Sequence, residues 1–453
     1  MMMAGHRIAR FLRRSRAGTK RFSSLQVLDK NAAIMFTGQG SQFPGMGKDL
    51  YERHSIAKDI IDEADDVLGF KLSEIMFDKS VTSPLVLTAN AQPAILVYSI
   101  ILLELLKSEW GVDNLKDAGY SLALGHSLGE YSALVATEAI ELGDAIKLVH
   151  QRGKLMQAAV DSDEYGMFAL LRSPYKDVLE LCESVNKCSD QKCDIANHNT
   201  DDQVVISGHM DAVENVIAQG KQSKAIRRAV RLDVSAPFHS RYMEPAVSGL
   251  EEALEGITFK DPIIPIVSNV SAQAYHTCAD LKLNLTQQLY STVQWYESLN
   301  LCVNSFDINV FHEVGPKRTL ATFVNRHIGS SDDVQVQSFC TAEDVASFVN
   351  AFRLQSKERS SPKIQPESSN LAMISEYDLD EHTYFFDEIR RINPKAIFLD
   401  NHVVKFKSAN AMRSAVKKFN SQMEIKGISV SMIPCHTLIK PSINAVSKRG
   451  KGE

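Results

Sequence analysis

The residues Gly125-His126-Ser127-Leu128-Gly129 follow an apolar run, Ser121-Leu122-Ala123-Leu124, and precede a helical stretch from Glu130 to Thr137. A strand, a sharp turn bearing serine and a helix are the parts of a nucleophile elbow. Glycines two residues to either side of Ser127 let the strand and helix backbones approach closely. The serine then stands above the sheet, at the positive end of the following helix. A serine hydroxyl is a weak nucleophile and needs a base within hydrogen-bond reach. Of the 13 histidines, His239 is the candidate, in Ser235-Ala236-Pro237-Phe238-His239-Ser240, a loop-like stretch that ends a strand. His126 lies in the elbow itself, where a neighbour along the turn points away from the serine, and it reads as a positioning residue.

Such a pair has to be held by rigid elements. An apolar strand over Ala32–Phe36 runs into the turn Thr37-Gly38-Gln39-Gly40-Ser41-Gln42, and Ile263–Asn269 and Val310–Val314 read as further strands. Apolar strands alternating with helical segments imply an α/β fold, a parallel sheet covered on both faces. Residues 163–233 differ: the strands Gly166–Leu171 and Gln203–Gly208 are each followed by a helix, Asp211–Gln219 being one, which suggests a small α+β insert. Residues 356–370 are polar, contain two prolines and read as a linker. Beyond them Val403–Phe406 alternates like a strand, Met412, Ala415, Val416 and Phe419 sit at helical spacing, and Ile425–Met432 alternates again. The expected organisation is a leader over 1–24, a main domain over 30–355, a linker to 375 and a small β-α-β extension over 376–453.

The chain has 453 residues, 44% of them hydrophobic and 23% charged, an ordinary soluble globular composition. A formal charge of −5 gives no reason to expect nucleic acid as a partner. Residues 1–24 stand apart, with six arginines, Lys20 and no acid, so that the rest of the chain carries about −12. Ile8, Phe11 and Leu12 share one helical face there. An amphipathic, Arg-rich, acid-free start has the make-up of a mitochondrial transit peptide, and the expected location is the matrix. The seven cysteines form no paired metal-ligand spacing and read as reduced thiols; no metal is expected. The longest apolar run, Pro93–Leu103, is about half a membrane span and reads as a buried helix, with no membrane insertion.

Five segments occur in order: Gly38-Gln39-Gly40-Ser41-Gln42, Gly125-His126-Ser127-Leu128-Gly129-Glu130-Tyr131, Gln151-Arg152-Gly153-Lys154-Leu155-Met156-Gln157, Ala236-Pro237-Phe238-His239-Ser240 and Glu313-Val314-Gly315-Pro316. Together they resemble the malonyl-CoA:acyl-carrier-protein transacylase family, over roughly residues 30–350. The resemblance implies an α/β-hydrolase-like core with a ferredoxin-like insert and an active site between them. It implies Ser127 as the acyl-carrying nucleophile, His239 as its base, and the backbone N–H groups of Gln39 and Leu128 as the oxyanion hole. In this family a backbone carbonyl rather than an acid orients the histidine, and the matching position is read as Gln294, in Val293-Gln294-Trp295. Arg152 is implied as the residue that grips the malonyl carboxylate, with Gln92 lining the same pocket. Phe238 is the type paired with malonyl rather than methylmalonyl selectivity. The partners implied are malonyl-CoA and acyl carrier protein, with no cofactor beyond the coenzyme A thioester itself. Thr37 departs from the proline common in the bacterial enzymes.

Residues from Glu376 onward lie outside the family pattern. Their order of elements has a weak likeness to the second half of an RNA-recognition fold. A base-stacking sheet needs exposed aromatics, and Asn401–Phe406 offers only Phe406, with Val403 and Val404 where rings would be expected. The extension therefore reads as a packing or partner-binding appendage. Two rival functions share the elbow: a serine hydrolase, which would need an Asp or Glu behind its histidine, and a non-catalytic scaffold of the same fold.

Overall fold

The computed structural model describes residues 28 and 31–360, save 81, 161–163, 235, 280 and 329–332, and four short strands beyond residue 370; side chains are described up to Arg353. The chain divides into two compact units, residues 1–356 and 357–453. The leader expected over 1–24 lies outside the described residues.

In the first unit β1 (Ala32–Phe36) and β2 (Tyr120–Gly125) open the main sheet, and β3 (Tyr165–Leu171), β4 (Cys193–Thr200), β5 (Gln203–His209) and β6 (Arg228–Arg231) form the insert. The chain then returns through β7 (Ile266–Val267), β8 (Ala274–Tyr275), β9 (Val310–Val314) and β10 (Gln335–Phe339). The main sheet has the order β10-β9-β1-β2-β7-β8, parallel throughout except for β8. Every residue of β1 and β9 is buried, as a sheet with both faces covered requires. The two-residue period sorts β1 between two cores. Ala32, Ile34 and Phe36 join one cluster, and Ala33 and Met35 the other, where Trp295, Leu299 and Phe323 pack on them. This is the α/β architecture expected from the alternation of strands and helices.

The larger core is built around the helix Thr88–Trp110, 23 residues long with 17 of them buried. The helix outlasts the apolar stretch Pro93–Leu103: its flanking turns are mixed, carrying Asn90, Gln92, Glu104 and Lys107, but they bury Ala89, Ala91, Leu105 and Leu106 as well. Pro93 lies inside it. Proline has no N–H to offer the carbonyl four residues back, and that carbonyl, Ala89 O, is bonded instead by His150 Nδ1 at 2.8 Å. His150 sits on the neighbouring helix Leu142–Ala158, so the break is used to tie two helices in register.

The insert is an antiparallel sheet of order β4-β5-β3-β6, with the helices Tyr175–Cys188 and Met210–Ser223 on it and a core of its own. It is joined to the main sheet's side by Val293 N–H on Ala196 O (2.8 Å) and His198 N–H on Val293 O (3.0 Å). In the second unit β11 (Leu371–Ser375), β12 (Ile397–Phe398), β13 (Val403–Lys405) and β14 (Ser431–Pro434) form an antiparallel sheet of order β12-β13-β11-β14. That is the same second-third-first-fourth order as the insert. The strand expected over Ile425–Met432 is described only from Ser431, and the helix expected around Ala411–Phe419 lies outside the described residues.

Candidate active site

β2 ends at Gly125 in the middle of the main sheet, and the helix Gly129–Ala136 starts four residues later. The turn is possible because both flanking residues lack a Cβ. One built on Gly125 would lie 1.9 Å from Gly129 C, and one on Gly129 would lie 2.0 Å from Phe36 O. Ser127 between them has φ 52°, in the left-handed region, a conformation that costs on the order of 1–3 kcal/mol for a non-glycine residue. The surroundings hold it there. Asn269 accepts from Ser127 N–H through Oδ1 (2.6 Å) and donates through Nδ2 to Gly125 O (2.6 Å), bracing both ends of the turn. Ser127 O accepts from Glu130 N–H and from Gln288 Nε2.

Ser127 Oγ lies 2.7 Å from His239 Nε2. His239, 4% exposed, also has positive φ, 58°. Its Nδ1 lies 2.8 Å from Gln288 O. Since a carbonyl only accepts, Nδ1 carries the hydrogen and Nε2 is left free to take the serine proton. The orienting carbonyl is therefore that of Gln288, and the assignment to Gln294 is corrected. Gln294 O already accepts from Ser298 N–H (2.9 Å) and Ser298 Oγ (2.7 Å), as the residue preceding the helix Trp295–Ser305. The backbone N–H groups of Gln39 and Leu128 donate to no protein acceptor among the described residues, the condition an oxyanion hole needs. The Gln39 side chain is bonded to Thr88 Oγ1 at 3.0 Å.

Arg152 comes from the helix Leu142–Ala158 and is 1% exposed. Its Nη1 donates to Gln92 Oε1 and its Nη2 to Gln288 Oε1, both at 2.8 Å; Nη2 is also 3.3 Å from Ser127 Oγ. The Tyr131 ring lies 5.3 Å from the guanidinium carbon. Nε has no partner among the described residues. Among the described residues no carboxylate touches the cation: the groups bonded to it are two amides and a hydroxyl. Isolated charge is expensive to bury, and burial holds the Arg152 pKa below its ordinary value. A buried guanidinium beside a nucleophile, with neutral partners only, is a receptor for a small anion.

The same cation acts on the base. Burial first, and Arg152 second, hold the His239 pKa down at about 3, so the imidazole is neutral and ready to accept a proton. Behind Gln288 lies Glu130, 1% exposed, pushed up to about 7 by burial against the pull of its hydrogen-bond donors and Arg152.

Ser127, His239, Arg152 and Gln92 thus converge; Leu128 follows the serine in the turn, and Gly38, next to Gln39, lies against the His126 carbonyl. Phe238, 6% exposed, packs into the main core next to His239. His126 turns away from the serine: its Nε2 bonds Asn199 Oδ1 at 2.8 Å and its ring lies against Trp295 and Phe323. The cleft beside His239 is about 890 Å³ and is lined from the insert by Tyr175, Asn186 and Asp194 and from the main domain by Arg241, Tyr290 and Ser291. Sequence reasoning missed Gln288, Asn269 and Glu130 as site residues. Glu130 had a visible signal, an acid one residue past the elbow in an otherwise apolar helix. Gln288 had none, because every residue carries a carbonyl. Among the described residues no group of three metal-ligating side chains is gathered.

A family described as the acyl transferase domain matches residues 34–365. A malonyl CoA-acyl carrier protein transacylase of Bacillus subtilis (strain 168) is 41% identical over 294 residues, which is 65% of this chain and 89% of that protein. The crystal structure of an acyl-carrier-protein S-malonyltransferase from Bartonella henselae superposes with a TM-score of 0.65 at 37% identity, covering 71% of this chain and 99% of the other. A malonyl-transacylase in complex with its type II polyketide acyl-carrier protein superposes with a TM-score of 0.65 at 31% identity, over 71% and 99% of the two chains. The second unit lies almost entirely beyond the matched residues.

Proposed function

The chain belongs to the acyl transferase domain family, and we propose that within it this protein carries malonyl from coenzyme A to an acyl carrier protein, for fatty acid synthesis. The observation that carries the reading is Arg152: a buried cation with only amide and hydroxyl partners, 3.3 Å from the nucleophile. Malonyl brings a carboxylate to that cation. Acetyl brings none and gains nothing from it.

The cycle is ping-pong. His239 Nε2 takes the proton from Ser127 Oγ as the oxygen attacks the thioester carbon of malonyl-CoA. The Gln39 and Leu128 N–H groups hold the tetrahedral oxyanion, and Gln288 O supports the imidazolium through Nδ1–H. Collapse expels the coenzyme A sulfur, which receives the proton from His239. The phosphopantetheine thiol of the carrier protein then gives its proton to His239 and attacks the malonyl ester, and Ser127 leaves with that proton. Each oxyanion donor is worth about 3 kcal/mol in the transition state. The cycle as proposed calls on no metal or redox cofactor. A serine hydrolase of the lipase type would place a carboxylate behind the histidine, where this chain has the Gln288 carbonyl.

Phe238 supports malonyl over methylmalonyl by its bulk, a preference limited to about 1–3 kcal/mol for one methyl group. The test is incubation with carrier protein and malonyl-, acetyl- or methylmalonyl-CoA, following carrier acylation by mass spectrometry. Release of free malonate faster than carrier acylation would favour the hydrolase.

Residues 1–24 support a mitochondrial matrix location by their charge and amphipathicity. Fusion of this segment to a fluorescent protein should send it to mitochondria, and the chain lacking it should stay outside.

A further inference from the structure

Arg152 has no carboxylate in contact among the described residues, yet one lies a single side chain away. Gln288 stands between Arg152 and Glu130. Its Oε1 accepts from Arg152 Nη2 at 2.8 Å, and its Nε2 donates to Glu130 Oε2 at 2.7 Å. A guanidinium only donates and an ionised carboxylate only accepts, so the amide between them is polarised in one sense. Tyr275 Oη completes the set on Glu130 Oε1 at 2.8 Å, and Asn269 N–H reaches Oε2 at 3.3 Å. All these donors are neutral. The titratable groups around Glu130 are Arg152 from the helix Leu142–Ala158, Tyr275 from β8, Tyr131 on its own helix and, beyond Gln288, His239. Arg152 is the cation among them.

We propose that Glu130 is the resident counter-charge of Arg152 and surrenders that role to the acyl carboxylate, so that a charged acyl group enters with one proton and an uncharged one without. This deepens the malonyl reading and rests on it. A second buried anion beside a cation that already has one leaves the pocket with net negative charge in a medium that solvates it poorly. Protonation of Glu130 from solvent restores the balance: one carboxylate, now the substrate's, faces one guanidinium. The chemical step adds no proton of its own, because the serine hydrogen leaves on the coenzyme A thiol. The resting Glu130 carboxyl, held near 7, is close enough to neutrality for this exchange at physiological pH. Glu130 is thus a residue that sets specificity through electrostatics while touching no substrate.

The test counts protons. In weakly buffered solution at about pH 8, malonyl-CoA is mixed with excess enzyme without carrier protein. Acyl-enzyme is measured by intact mass and proton uptake by an indicator dye. Uptake should approach one proton per malonyl-enzyme formed, and it should vanish in the isosteric variant Glu130→Gln. The kcat/KM for malonyl-CoA should fall with rising pH above 7, up to tenfold per unit, and be level in Glu130→Gln. Malonyl-enzyme formed without proton uptake would overturn the proposal, as would an unchanged pH profile in the variant. If Glu130→Gln does not fold, the proton count on the natural protein decides alone. Absence of any malonyl-enzyme would instead sink the transacylase reading, so the two failures are distinguishable.

Discussion

Replacing Arg152 with alanine should reverse the acyl preference of the pocket. A malonyl carboxylate facing the guanidinium gains two charge-assisted hydrogen bonds, each contributing about 1.5–3 kcal/mol where water is excluded. Losing both removes about 3–6 kcal/mol, which lowers kcat/KM for malonyl-CoA roughly 10²- to 10⁴-fold. Acetyl-CoA makes no such bonds and gains nothing from the cation. Arg152→Ala removes that cation, frees the Gln92 and Gln288 amides, and lifts one of the influences holding His239 down. Glu130 is not stranded as an anion, since losing Arg152 pushes its pKa further up. Acetyl transfer should therefore hold or rise. Arg152→Lys is the control: it keeps the charge, loses the planar fork and should fall between. Intact-mass kinetics of acyl-enzyme formation with each thioester, followed by carrier-protein assays, read both numbers. An Arg152→Ala protein that kept its malonyl preference over acetyl would refute the receptor.

Ser127→Ala should give no acyl adduct by intact mass, and a surviving adduct would place the chemistry elsewhere. Acylation from acetyl-CoA, which makes no use of the Arg152 receptor, should stay level from pH 8 to about pH 5. His239, held near 3, is neutral above that value and loses its function only on further acidification; a midpoint near 6.5 would show an ordinary histidine. Asn269→Ala leaves Gly125 O and Ser127 N–H without their partner, so urea unfolding should show a loss of about 2–4 kcal/mol, along with slower acylation. Gly153→Ala would put a Cβ 2.6 Å from Ala89 Cα and 2.7 Å from Thr88 O, and this overpacking should cost about 1–3 kcal/mol.

What the sequence made legible follows from what each feature depends on. The elbow could be read because its requirements are local: an apolar strand, two residues without a Cβ, a serine between them and a helix after. The sheet could be read for a similar reason: β1 is an unbroken apolar run buried on both faces, and β9 sets Val310, Phe311 and Val314 around the buried His312 and Glu313. The orienting carbonyl could not. Gln288 and Gln294 both lie near the end of a helix, and which backbone oxygen meets His239 depends on how the chain from Gln287 to Val293 crosses the insert boundary. Hydrogen bonds such as Val293 N–H to Ala196 O set that path, and they join residues about a hundred positions apart. The Arg152–Gln288–Glu130 relay was hidden in the same way: three residues, each from a different segment, meeting only when the fold closes.

The helix Thr88–Trp110 bears on how the chain survives before it folds. Its 23 residues rise about 34 Å at 1.5 Å each, comparable to the roughly 30 Å hydrocarbon thickness of a bilayer. In the folded protein 89% of its most apolar window is enclosed by protein, but an unfolded chain has no such cover. Lipid and the nascent sheet then compete for one surface. Glu104, paired with Lys107 at 2.7 Å in the fold, would have to be carried into hydrocarbon, where acidic side chains are poorly tolerated. The half-buried ion pair of the folded helix thereby biases the unfolded chain toward water.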